Sequence, residues 1–100
     1  MNGFEWIDPF LERWISQNEN ARLQKEYKDF EVRSMTFKPY WQYFIDISKP
    51  NEKGQFTLLI VRDIPGKHLK TIKKKEIRVD DPNDLPFYLD QAYGLIVEGF

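Results

Sequence analysis

The sequence predicts an α+β domain: an antiparallel sheet of three to four strands with N-terminal and C-terminal helices packed on it, in the order α-β-β-β(-β)-α. Three observations carry this prediction. Apolar residues recur at helical spacing near both ends of the chain. Between them, residues 40–48 alternate in polarity and residues 56–62 form a dense run of strand formers. The connections are short and rich in Pro, Gly and Asn, which favours antiparallel neighbours over parallel crossovers. A length of 100 residues suits one domain spanning 1–100.

The N-terminal helix starts where Asp8 can cap and Pro9 suits the first helical position. Phe10, Leu11, Trp14 and Ile15 then share a face. Residues 17–20 interrupt it. Leu23, Tyr27 and Phe30 also fit helical spacing, but they point roughly opposite to Phe10 and Trp14. The expectation is a break near residues 18–20 and two short helices, with one long helix between two partners as the alternative.

The middle of the chain is β. Trp41, Tyr43, Ile45 and Ile47 fall on one face of a strand, with Gln42, Asp46 and Ser48 on the other and Phe44 as the apolar exception there. Residues 56–62 suit a central strand. The turn-rich sequence Lys49-Pro50-Asn51-Glu52-Lys53-Gly54 joins the two as a hairpin. Ile64-Pro65-Gly66-Lys67 fits a type II turn. Residues 71–79 form a weaker strand whose Lys73, Lys74 and Lys75 mark an edge. Residues 33–37 supply a fourth strand before Pro39. In the last segment Asn83 or Asp84 can cap, and Pro86 sits in the first turn. Leu85, Leu89, Ala92 and Ile96 then line one face.

A formal net charge of −1 conceals segregation along the chain. Residues 67–78 carry Lys67, Lys70, Lys73, Lys74, Lys75 and Arg78 against Glu76, a net of +5. Residues 79–100 carry Asp80, Asp81, Asp84, Asp90 and Glu98 with no base, a net of −5. Lysines on a hairpin can track phosphates. They also serve as the solvated edge of a sheet, which a pI near 5.8 favours. The carboxylates can meet a basic partner with fast, steered association. Asp80, Asp81 and Asp84 also stand where negative charge favours a helix dipole.

Several chemistries are excluded. Without cysteine there is no disulfide framework, thiolate zinc site or catalytic thiol. A P-loop would need Gly at Val61 and Ser or Thr at His68. The aspartates lack the ligand spacing of an EF-hand loop. His68, the only histidine, reads as a plain loop residue, and no carboxylate spacing singles out a catalytic pair. No cofactor or metal is expected. The longest apolar run, residues 58–61, is too short to span a membrane, and residues 1–5 lack signal-peptide character, so a cytoplasmic location is expected.

The aromatic content is high: three Trp, five Tyr and eight Phe in so short a chain. Tyr40 and Phe44 lie off the best-defined core face of their strand, and Phe87 falls opposite the apolar stripe of its helix. Such residues either anchor a protein partner or fill a core with two covered sheet faces. The leading expectation is a non-enzymatic protein-binding domain of the small inhibitor or immunity type. Tyr40, Phe44 and Phe87 would anchor the partner, and Asp80, Asp81, Asp84 and Asp90 would steer it. The alternatives are a nucleic-acid-binding module using Lys67, Lys70, Lys73, Lys74, Lys75 and Arg78, and a small-ligand or enzyme domain with a sheet pocket. A homo-oligomer paired along residues 71–79 would need acidic groups facing its lysines.

Overall fold

The computed structural model describes residues 3–24, 32–64 and 67–100, without the side chains of 24 and 67–69. A short 3-10 turn, Phe4–Trp6, leads into α1 (Asp8–Ser16). Five strands follow: β1 (Ala21–Gln24), β2 (Val32–Phe37), β3 (Tyr43–Ser48), β4 (Phe56–Ile64) and β5 (Lys67–Val79). A second 3-10 turn, Pro82–Asp84, precedes α2 (Leu85–Val97). The strands form one sheet in the order β1-β2-β3-β4-β5, every pair antiparallel. No described helix is long and apolar enough to cross a membrane.

Directly opposed residues of a ladder share a face. The register therefore puts Met35, Ile45 and Ile60 in one row and Ile47 and Leu58 in the next. Tyr43, Phe37, Phe56 and Val79 complete this face, and all are buried. The helices cover it. From α1 come Leu11 and Trp14, and from α2 the expected stripe of Leu85, Leu89, Ala92 and Ile96, all in one core cluster. The alternation that marks β3 follows from helices covering one of its sides, whereas β4 is marked by its dense run of strand formers in the middle of the sheet.

The sheet has five strands where three to four were expected. Residues 17–20 do not hinge two helices but turn α1 into a strand. Asn18 Nδ2 donates to the Trp14 carbonyl (2.8 Å), and Ala21 N–H donates to the Asn18 carbonyl (2.9 Å). Ala21 then pairs with Phe37 and Leu23 with Met35. Leu23 thus belongs to β1, where pairing satisfies the free side of β2 and buries Ala21. Tyr27 and Phe30, and the turn at Pro65 and Gly66, lie outside the described residues.

Four smaller expectations are also corrected. Trp41 is 62% exposed, because β3 begins only at Tyr43 and the alternation does not extend back through the preceding turn. Asp8 does not cap α1. It lies in the first turn and holds Arg33 through two 3.1 Å bonds, with the guanidinium 3.9 Å above the Phe4 ring. At the other end Asp81, not Asn83 or Asp84, supplies the cap: its Oδ1 accepts from Asn83 N–H at 2.9 Å. His68 is part of β5, not of a loop, because the strand starts at Lys67.

Candidate interaction surfaces

Asp80, Asp81 and Asp84 occupy the junction between β5 and α2, Asp90 lies within α2, and several of the four serve the fold. Asp81 caps the 3-10 turn. Asp90 accepts from Trp14 Nε1 at 2.8 Å and ties the two helices together. Asp80 accepts from Arg78 Nε at 3.1 Å, with both side chains exposed. Asp84 is exposed at the start of α2. Phe87, one turn further on, is 60% exposed and stands edge-on to its neighbour Tyr88, ring centroids 5.2 Å apart.

The three aromatic candidates do not form one cluster. Tyr40 is half-buried and stands edge-on to Tyr93 at 6.3 Å, near the C-terminal half of α2. Phe44 is half-buried opposite Val61, on the face of the sheet that is helix-free among the described residues. Only Phe87 shares a surface with the aspartates, because it falls between the stripe residues Leu85 and Leu89 at a position that points away from the core.

The basic candidates lie on an open edge. The described side chains of Lys70, Lys73, Lys74, Lys75 and Arg78 are all exposed along β5. The side chain of Lys67 falls outside the described set. Lys73 and Lys75 oppose Arg62 and Ile60 on the helix-covered face, while Lys74 opposes Val61 on the other. Cations therefore flank both sides of the strand. Lys73 Nζ rests 4.7 Å from the centre of the Phe100 ring. That ring is fixed by a helix stop at Gly99 (φ 93°): Phe100 N–H donates to the Leu95 carbonyl and Gly99 N–H to that of Ile96.

The sequence reading missed a polar cluster on the helix-free face. Ser34 and Asp46 are directly opposed on β2 and β3, and Ser34 is 1% exposed. Buried Ser34 Oγ and Asp46 Oδ1 lack a well-formed hydrogen bond. Further along, buried Asp63 accepts from the Thr71 hydroxyl at 3.3 Å. A bulge arranges this contact. Lys73 opposes Arg62 and Thr71 opposes Asp63, so Ile72 is an extra residue that turns Thr71 onto the helix-free face. The available signal was the polar alternation of Ser34 and Thr36 beside Asp46, which becomes a cluster only once the register is known.

Burial pushes the Asp46 carboxyl above its ordinary value of 3.8, the Ser34 hydroxyl opposes the rise, and the charge of Asp63 adds to it. The folded state thus holds this proton more tightly than the unfolded chain. The resulting stabilisation is complete below pH 3.8 and is lost as pH rises through the higher folded value. Asp46→Asn, which stays neutral, is expected to gain stability relative to wild type as pH rises through that window. Urea unfolding of both proteins from pH 4 to 7, as approximate limits, measures it; a constant difference would refute the burial effect.

A cavity of about 720 Å³ lies at the other end of the molecule, lined by Gly3, Trp6, Lys49, Pro50, Asn51, Glu52, Lys53 and Gln55. It is formed by the β3–β4 connection and the first 3-10 turn, not by a sheet face. β4 runs its full length between this loop and the start of β5, where His68 lies. Among the described residues no group of three or more His, Asp or Glu side chains is placed to hold a metal ion. The chain matches no family model, no curated protein and no solved structure.

Proposed function

We propose that the chain is a non-enzymatic protein-binding domain of the inhibitor or immunity type, with its docking site at the N-terminal end of α2. The observation that carries this reading is Phe87: a large ring, 60% exposed, one turn from Asp84 and beside the Asp80–Asp81 junction. An exposed aromatic ring is unfavourably hydrated in the free protein and sheds that cost when it enters a partner's apolar pocket. The surrounding carboxylates raise the encounter rate with a basic partner.

The test begins with a partner captured from host lysate after nuclease treatment and continues with its binding kinetics. Asn at positions 80, 81, 84 and 90 removes charge but retains an oxygen acceptor for the cap and for Trp14. This quadruple variant is expected to slow association about tenfold at low salt and to change dissociation little. Phe87→Ala is expected to act on dissociation instead, by roughly 30-fold if the ring is a true anchor. Equal on-rates for the charge variant and wild type would defeat the steering mechanism.

One observation favours a second reading. Lys70, Lys73, Lys74 and Lys75 stand exposed in succession on β5, as contacts to a nucleic-acid backbone would require. Five or six phosphate contacts imply a slope of roughly −4 to −5 in log affinity against log salt, and a flat response removes this reading.

A further inference from the structure

We propose that β5 is a docking edge for an extended acidic segment of a partner protein, which adds to the sheet as a further strand. This surface is separate from the end of α2 and does not depend on what binds there.

The first ground is the place of β5 in the sheet. It is the longest strand, 13 residues, yet it lies at the edge. Edge strands of monomers are usually short or bulged along their length. Here both register shifts, at Arg62/Asp63 and Asp63/Ile64, fall in the first part of β5, before Lys73. From Lys73 opposite Arg62 to Val79 opposite Phe56 the ladder with β4 is regular. An edge strand turns roughly half of its N–H and C=O groups outward, and a regular stretch presents them at the spacing an incoming strand needs.

The second ground is charge. Lys73 and Lys75 project on one side of that stretch with no acid between them, while Lys74 shares the other side with Glu76, so acidic side chains meet cations chiefly on the Lys73–Lys75 side. Lysines on an edge also repel unwanted strands. The same repulsion that rejects basic chains selects acidic ones. It also rejects a second copy: antiparallel self-pairing centred on Lys74 would set Lys73 against Lys75 and Lys70 against Arg78. A single-stranded nucleic acid fits less well. Residues 70–79 carry no aromatic ring for stacking, and phosphates make no use of outward carbonyls.

The probe is a capped octapeptide of alternating Glu and Val, titrated into the intact protein at low and moderate salt. It is expected to bind, and to slow amide exchange at alternate residues between 73 and 79. A version N-methylated at every second amide is expected to bind at least about tenfold more weakly, because it cannot complete the ladder. The double variant Lys73→Glu/Lys75→Glu reverses two exposed cross-strand contacts and is expected to weaken binding roughly 10- to 30-fold. Phe87→Ala, which leaves every charge in place, is expected to bind the octapeptide as wild type does, which separates this site from the one on α2. No binding of the octapeptide, equal binding of the N-methylated form, tighter binding of a thymidine dodecamer, or self-association through β5 would each overturn the proposal.

Discussion

Phe37→Ala is expected to lower the free energy of unfolding by about 3–5 kcal/mol. The ring is fully buried and joins three elements. From β2 it meets the edge of Trp14 in α1 at 6.4 Å and lies tilted against Tyr93 in α2 at 5.2 Å. Its backbone pairs with Ala21 of β1. Truncation removes the apolar area of one large side chain and leaves a void that both helices and the edge strand border, so collapse on one side opens a gap on another. It also loosens Trp14, whose indole N–H is held by Asp90. A loss of that size is a large fraction of the roughly 5–15 kcal/mol available to a domain, and it would lower the melting temperature by more than about 12 °C. Phe87→Ala supplies the contrast, since its exposed ring should cost no more than about 0.5 kcal/mol. Urea midpoints at constant slope read both changes. A loss below about 1 kcal/mol for Phe37→Ala would mean that the three elements do not meet on this ring.

The parts of the fold legible in the sequence are those where one period dominates. Leu85, Leu89, Ala92 and Ile96 fit only a helix, and Tyr43, Ile45 and Ile47 fit only a strand, and all seven are buried. β1 was not legible because Leu23 satisfies both periods within four residues. What decides its state is pairing with Met35, a contact that local spacing does not encode. Charge segregation was legible residue by residue, but the use of each charge was not. Asp90 resembles Asp84 in sequence, yet its partner Trp14 is 76 positions away. Phe44 and Tyr40 looked like companions of Phe87 because all three leave the predicted stripe of their element. The sheet sends Phe44 to the helix-free face and Tyr40 to the rim of the core, so of the three only Phe87 remains in the proposed docking site.

Gly54→Ala is the second substitution with a large expected effect, about 2–5 kcal/mol, and its origin can be divided. Gly54 closes the β3–β4 turn by donating to the Asn51 carbonyl at 2.9 Å, with φ at +80°. A side chain in that conformation costs about 1–2 kcal/mol by itself. The added Cβ would also stand 2.6 and 2.8 Å from Cζ3 and Cε3 of Trp6 and 3.2 Å from Cδ of Pro82. Those contacts force the indole to move, an overpacking cost of about 1–3 kcal/mol. A cycle with Trp6→Ala separates the two contributions. In the Trp6→Ala background the clash with the indole is gone and only backbone strain and the Pro82 contact remain, so Gly54→Ala should cost about 1–2 kcal/mol there. Additive losses would show that Trp6 yields without cost and that strain alone makes the position glycine. A coupling above about 1 kcal/mol would show that close approach is the reason. It would also explain how the two ends of the chain are held together. The first 3-10 turn supplies Trp6, the β3–β4 turn supplies Gly54, and Pro82 belongs to the turn that Asp81 caps beside Asp84 and Phe87. The missing side chain at position 54 lets these three segments converge, and so fixes the acidic turn that leads into α2, the helix from which Phe87 projects.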